Sequence, residues 1–276
     1  MALVYVNGAL VDEDDAKLSV FDHGLVVGDG VFETILLTDG HPFALGRHLQ
    51  RLARSARGLG LAPPPPRSLE EAVGLVVDAT SLERGRIRVT LTAGIGPLGS
   101  GRVESPPSLV VAIGPMGEEH AVANVAVVPF TRNEHGALAG LKTTSYAENA
   151  LALAWAEARG ADEAIFANTS GALCEGTGSN VFYVLDGELY TPTLGSGCLA
   201  GVTRALVMET VRVTELDLPV STFSPDGVIE AFLTSTLRGV QPIATIDGAE
   251  MAVCGGPLTA AAAAAYTALL TSSVDP

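Results

Sequence analysis

Stretches that read as strands alternate with stretches that read as helices along the whole chain, and this mixture constrains the fold more than any other feature. Residues 3–6 and 9–11 flank Asn7-Gly8, the two-residue turn signal of a β-hairpin. Residues 30–37 followed by Asp39-Gly40 read as a second strand and turn. A helix is expected over residues 45–59, closed by the stiff run Pro63–Pro66. Ser68-Leu-Glu-Glu71 reads as a capping box opening a helix through Val77. Residues 86–92 and 108–113 look like buried strands. Residues 114–121 then carry turn residues and charge with little apolar pattern, and the domain boundary belongs there. Beyond it, strands at 125–130, 163–167, 180–185, 188–190 and 231–234 alternate with helices at 147–159 and 204–213. No internal repeat is evident. The expected fold class is α/β (α+β mixed) in two domains, residues 1–115 and 123–276, with a connector at 116–122.

The totals narrow the function classes. With 276 residues there is room for one large or two modest domains with a buried core. An apolar fraction of 47% with 17% charged residues is globular rather than disordered. A net charge of −15 opposes binding to nucleic acid or to an anionic membrane surface. Three cysteines (Cys174, Cys198, Cys254) cannot form a full disulfide framework, which fits a reducing compartment. Residues 1–15 turn acidic without a basic-then-apolar pattern, so no signal peptide is expected and the expected location is cytoplasmic. The alanine-rich run 260–265 is too short to span a bilayer and reads as a C-terminal helix. Five histidines and three cysteines show no metal spacing. Gly176–Val181 lacks the third glycine of a dinucleotide loop, residues 94–101 lack the lysine and hydroxyl of a P-loop, and no Gly-x-Ser-x-Gly elbow occurs.

Only two of the sixteen basic residues are lysines. Lys17 lies in a solvated acidic segment. Lys142 sits among small, hydroxylic and apolar residues, in Leu138-Ala-Gly-Leu-Lys-Thr-Thr-Ser-Tyr-Ala-Glu-Asn149, with Thr144 or Ser145 as the cap of the next helix. A partly desolvated ammonium has a lowered pKa. The free amine so favoured condenses with an aldehyde to form a Schiff base. A lysine that snorkels at a helix start is the plain alternative, and its setting alone leaves both open.

Six blocks, in order, carry a resemblance. They are Phe21-Asp-His-Gly-Leu-Val-Val-Gly-Asp-Gly-Val-Phe-Glu33, His48-Leu-Gln-Arg-Leu52, Leu141-Lys-Thr-Thr-Ser-Tyr-Ala-Glu-Asn-Ala-Leu-Ala152, Leu173-Cys-Glu-Gly-Thr-Gly-Ser-Asn-Val-Phe182, Gly197-Cys-Leu-Ala-Gly-Val-Thr-Arg204 and Leu233-Thr-Ser-Thr-Leu-Arg-Gly-Val-Gln-Pro242. Together they resemble the fold type IV (class IV) pyridoxal-phosphate enzymes, which include D-amino acid transaminases, branched-chain aminotransferases, (R)-amine transaminases and aminodeoxychorismate lyases. The resemblance implies a smaller N-terminal α/β domain and a larger C-terminal domain with a barrel-like sheet. It implies pyridoxal 5'-phosphate as cofactor, with Lys142 as its covalent link and general base. By the same resemblance Glu175 faces the pyridine nitrogen, Arg51 holds the phosphate, Val202 and Thr203 hold it from a helix start, and Ser235 and Thr236 add a hydroxyl turn. Leu199 packs on the ring, and Tyr146 reaches its phenolic oxygen. Read alone, Glu175 is a loop acid, Arg51 part of the basic stripe Arg47, Arg51, Arg54, and His48 a structural residue one turn back. A homodimer is implied, with the site between the domains and loops from the partner near its mouth.

The reaction implied is transamination between an amino acid, a D-amino acid slightly favoured, and a 2-oxo acid. An aminodeoxychorismate lyase and a branched-chain L-amino acid aminotransferase are the alternatives, and a catalytically silent cofactor-binding protein is the non-enzyme one. Many D-amino acid transaminases and lyases have arginines at the positions of His23 and Ala93. Arg88, and after it Arg102, are therefore the expected partners of a substrate carboxylate, with His23 nearby.

Overall fold

A computed structural model of the chain describes residues 3–118 and 120–276; Met1, Ala2 and Glu119, which belong to the start and connector read above, lie outside the described residues. The chain divides into two compact units.

The first unit runs up to Gly117 and also takes in Leu141–Tyr146 and Val274–Pro276. Its strands are β1 (Leu3–Val6), β2 (Ala9–Asp12), β3 (Gly30–Thr38), β4 (His41–Pro42), β5 (Gly85–Thr92) and β6 (Ser108–Gly114). They form one sheet in the order β2-β1-β6-β5-β3-β4. The first hairpin closes as its Asn-Gly signal demands, with Asn7 at φ 47° and Gly8 at φ 104°. β3 lies inside the sheet, with Val31, Ile35 and Leu37 fully buried. Helices α2 (Leu45–Gly58) and α3 (Pro66–Asp78) cover that sheet. Leu49, Leu52 and Ala56 of α2 and Leu69, Val73 and Val76 of α3 join Ile87, Val89 and Val111 in one apolar cluster. Truncating a wholly buried leucine such as Leu52 costs about 2–5 kcal/mol. The helix after the proline run begins earlier than expected. Pro66 is its first residue and no side chain caps it, so Ser68 lies inside α3 and no capping box forms. A proline at the first helical position needs no N–H and has its φ preset, which decides the start. A short α1 (His23–Val26) is capped by Asp22, whose side chain accepts from the Gly24 N–H.

The second unit comprises Glu118–Gly140 and Ala147–Ser273. Its strands are β7 (Ala123–Arg132), β8 (Glu163–Asn168), β9 (Leu173–Gly176), β10 (Asn180–Leu185), β11 (Glu188–Thr191), β12 (Thr214–Glu215), β13 (Ala231–Ser235), β14 (Gly239–Ile246) and β15 (Ala249–Glu250). The nine form one curled, half-barrel sheet, β12-β11-β10-β13-β14-β7-β8-β9, with β15 added on β14. Pairing is mostly antiparallel, but β14–β7, β7–β8 and β11–β12 are parallel. The helix α4 (Ala147–Glu157) connects β7 to β8 as a parallel crossover requires. Helices α5 (Val202–Thr210) and α6 (Pro257–Ser272) complete the unit. Among the described residues no helix is long and apolar enough to cross a membrane, and no cluster could hold a metal ion.

Candidate active site

The residues round Lys142 are an extended segment, and the expected helix follows from Ala147 without the expected Thr144 or Ser145 cap. Thr143 bridges Val31 of β3. The Phe32 N–H donates to the Lys142 carbonyl at 3.0 Å, and the Thr144 N–H to Gly30 O at 2.8 Å. The hydroxyls of Thr144 and Ser145 donate to Gly28 O at 2.9 and 3.0 Å, so neither is spent on capping. The Lys142 N–H donates to Ser55 Oγ at 3.2 Å. The lysine backbone is thus fastened to β3 and α2. Its Nζ lies 4.5 Å from the Phe32 ring centroid and 5.7 Å from that of Tyr146. Those rings meet edge to face at 5.2 Å. Arg88 sits on β5, opposite Thr34 of β3. Its guanidinium carbon is 3.3 Å from the same Phe32 centroid. Although part of the Arg88 side chain is open to solvent, desolvation near the ring lowers its pKa to about 10, which leaves it cationic at neutral pH.

The next residue of β3 turns to the other face of the sheet. Glu33 is completely buried and takes Arg51 Nε and Nη2, each at 2.7 Å, with His48 Nδ1 also at 2.7 Å. Burial pushes this carboxyl up, but Arg51 and His48 outweigh it and hold the pKa at about 2. Arg51 and His48 therefore belong to a buried network rather than to a solvated stripe.

His23 and Arg102 meet at Asp29, between the Gly28 and Gly30 carbonyls that hold the Lys142 segment. His23 Nε2 is 2.9 Å from Pro97 O and its Nδ1 is 3.6 Å from Asp29. Arg102 donates to Asp29 from Nε at 2.7 Å and Nη2 at 2.5 Å, and to Leu59 O at 2.8 Å. Both side chains pin the glycine-rich loop after β5, and both line a cavity of about 210 Å³ with Ala93, Ile95 and Glu104.

In the second unit Glu175 lies on β9. Its Oε2 accepts from the Leu199 N–H at 2.8 Å, and Arg132 Nε stands 3.4 Å from its Oε1. Arg132 also donates to Glu148 at 2.5 Å and stacks 4.2 Å over Phe166. Burial and then the Glu175 charge raise the neighbouring Cys174 and Cys198 thiols, the latter to about 11. The Leu199–Gly201 turn leads into α5. Asn180 Nδ2 donates to Leu199 O at 2.8 Å, and a Cβ at Gly201 would overlap Asn180 Oδ1. Gly201 is extended and offers no side-chain cap, so the first N–H groups of α5, at buried Val202 and Thr203, are left to another acceptor. Thr203 also bonds Tyr266. Ser235 and Thr236 are half-buried at the end of β13. Phe32, Glu33, Arg132, Glu163 and Arg238 join these sites without having been singled out from the sequence. Phe32, Glu33 and Arg238 lay inside quoted blocks; Arg132 and Glu163 gave no signal, because a lone charged residue on a strand looks like any other.

These donors suit one cofactor chemistry. An uncapped helix start and hydroxyls suit a phosphate. A carboxylate braced by a backbone N–H and a guanidinium suits a protonated ring nitrogen, and a lysine amine among aromatic rings suits an aldehyde. The class defined is that of pyridoxal-phosphate enzymes. The family described as "Amino-transferase class IV" matches residues 30–246, and the chain belongs to that family, whose members use pyridoxal phosphate. It is 34% identical over 255 residues to a putative branched-chain-amino-acid aminotransferase of Methanocaldococcus jannaschii, covering 89% of this chain and 88% of that one. It is 30% identical over 268 residues to the Bacillus subtilis aminodeoxychorismate lyase, covering 94% and 92%. It is 29% identical over 265 residues to a Staphylococcus epidermidis D-alanine aminotransferase, covering 90% of each. The branched-chain aminotransferase of Thermoproteus uzoniensis with norvaline superposes with a TM-score of 0.91 at 31% identity, over 98% of this chain and 94% of that one. The branched-chain amino acid aminotransferase of Escherichia coli gives a TM-score of 0.91 at 26% identity, over 97% and 94%. The fold is that of the fold type IV aminotransferases, and the chain is an enzyme.

Proposed function

We propose that this chain is a transaminase for aliphatic L-amino acids, exchanging an amino group between the amino acid and a 2-oxo acid. One observation carries the reading: Lys142 Nζ and the Arg88 guanidinium lie against the same Phe32 ring. A carboxylate held by Arg88 would be within the neighbourhood of the amine that must reach Cα. Arg88 keeps its charge and has a ring, not a carboxylate, as its stacked partner. This reading departs from the slight preference for D-amino acids drawn from the sequence, which the D-alanine aminotransferases among the relatives support; the absence of an arginine at Ala93 and the branched-chain aminotransferases among the structural neighbours support the L-amino acid reading. The names of the M. jannaschii and T. uzoniensis proteins support the same branch.

In this reading pyridoxal phosphate, linked to Lys142, supplies an electrophilic carbonyl carbon and a ring that takes up the electron pair left at Cα. Glu175, held by the Leu199 N–H and Arg132, would face the ring nitrogen. Val202, Thr203, Ser235 and Thr236 would hold the phosphate, with Arg51, whose charge Glu33 balances, as a further donor. Tyr146 orients the phenolic oxygen, and Leu199 packs on the ring. Lys142 Nζ would be the base that takes the proton from the substrate's Cα and holds it for return. Arg88 holds the substrate carboxylate. A homodimer belongs to the same reading.

The test is to mix the loaded protein separately with L-leucine, D-alanine and aminodeoxychorismate, each with a 2-oxo acid, and to follow the visible cofactor band and the products. L-leucine is expected to bleach the band and yield its oxo acid. Pyruvate release from aminodeoxychorismate alone would favour the lyase reading, which the Bacillus subtilis relative supports. Lys142→Ala is expected to abolish both turnover and the band. Arg88→Ala is expected to raise KM for the amino acid about 10- to 100-fold, the worth of a charge-assisted pair.

A further inference from the structure

The turn between β13 and β14 and the loop after β9 are far apart in sequence, yet both are fastened to one buried carboxylate. Glu163 opens β8 and is 2% exposed. Its Oε1 accepts from the Thr177 N–H at 2.9 Å, the Ala164 N–H at 3.1 Å and the Thr177 hydroxyl. Its Oε2 accepts from Ser179 Oγ at 3.0 Å and Arg238 Nη2 at 2.5 Å. Arg238 spends the rest of its fork nearby. Nε donates to Ser235 Oγ at 3.2 Å and Nη1 to Gln241 Oε1 at 3.3 Å. The Arg238 backbone N–H donates to the same Ser235 Oγ at 3.3 Å.

A serine hydroxyl has two acceptor positions and one proton. Arg238 fills both acceptor positions of Ser235, and no acceptor among the described residues takes the proton. We propose that Arg238, anchored on Glu163, is a positioning residue that makes Ser235 a dedicated hydrogen-bond donor to the cofactor's phosphate, and that Glu163 ties this turn to the loop that follows Glu175 and its strand β9. This rests on the reading that Ser235 faces the phosphate. The effect is one of orientation rather than of charge, because Glu163 neutralises the guanidinium at 2.5 Å. A lysine at 238 would keep the charge, but it lacks the planar fork that reaches Glu163 and Ser235 together.

The experiment titrates cofactor-free protein with pyridoxal phosphate and, separately, with pyridoxal, which lacks the phosphate, and reads Kd from the absorbance band. Wild type, Arg238→Ala, Arg238→Lys, Ser235→Ala and the Ser235→Ala/Arg238→Ala double variant are compared. Arg238→Ala, Arg238→Lys and Ser235→Ala should each weaken pyridoxal phosphate by about tenfold and leave pyridoxal within about twofold, as loss of one charge-assisted hydrogen bond predicts. In the Ser235→Ala background the Arg238 change should add less than about twofold, because the two act as one unit. Arg238→Lys leaves a cation for Glu163, so it serves if the alanine variant does not fold. Equal weakening of both ligands, no weakening of either, or effects that multiply in the double variant would overturn the proposal. Wild-type protein that takes up no pyridoxal phosphate would overturn the functional reading itself. Wild-type protein that prefers pyridoxal phosphate, with Arg238 variants keeping the same preference, overturns only the role given to Arg238.

Discussion

Glu33 shows how much a single residue can hold. It sits in a strand whose neighbours are apolar, and only Arg51 and His48, one turn apart on α2, make its burial tolerable. A buried pair contributes little compared with an apolar replacement of the whole set, yet removing one partner strands the others. Glu33→Gln is therefore expected to cost about 3–5 kcal/mol, read as a lower midpoint in urea unfolding with the slope unchanged. Lys142 was legible in the sequence because lysine is scarce and its block is distinctive. Arg51 was legible as a position but not as a partner of Glu33, since nothing local says that a strand residue and a helix residue well beyond it share a carboxylate. Arg132 and Glu163 were illegible for the same reason: their importance lies in what long-range pairing puts beside them.

At the scale of elements, turns and strand cores were readable because their signals are local. Asn7-Gly8, Asp39-Gly40 and Asp186-Gly187 all adopt the left-handed backbone their residue types favour. Helix starts were read less well. α2 begins after Ala44, a residue in the left-handed region at φ 54° with no capping side chain. Its cap comes from the other end of the sequence. The Gly46 N–H donates to Asp275 Oδ1 at 2.9 Å, the Ala44 N–H to Val274 O at 2.8 Å, and Arg47 Nε to Pro276 O at 2.6 Å. No window of neighbouring residues contains that information. Asp275→Ala should remove an N-cap interaction worth about 1 kcal/mol and lower Tm by roughly 2–4 °C, measurable by thermal unfolding. Asp275→Asn, which keeps an acceptor oxygen, should recover most of the loss.

For the whole molecule, alternation and the unpatterned connector led to an expectation of two α/β domains, but nothing local foretold the path of the chain. The segment that carries Lys142 and the last three residues return to the first unit, because β3 and α2 offer them backbone partners that only the folded sheet creates. The charge pattern has its own consequence at this scale. Although 31 acidic residues face 16 basic ones, the carboxylates that the fold pairs must stay ionised for the folded state to keep its stability. Arg102 lowers the Asp29 pKa, and hydrogen bonds from its own backbone and Thr169 lower that of Glu134. Burial pushes Glu33 up, yet Arg51 with His48 takes it from 4.5 to about 2. A group whose folded pKa lies below its unfolded value contributes its full stability above the unfolded pKa and loses it as pH falls through the folded one. Stability is thus expected to hold from neutral pH to about 5 and to fall steadily between about 4.5 and 2, most steeply where Glu33 is intact. Urea midpoints measured across that range should decline in the wild type. The decline should be shallower in Glu33→Gln, whose amide has no proton to gain. An equally steep fall in both proteins would remove Glu33 from the account and leave acid sensitivity to other paired carboxylates such as Asp29 and Glu134.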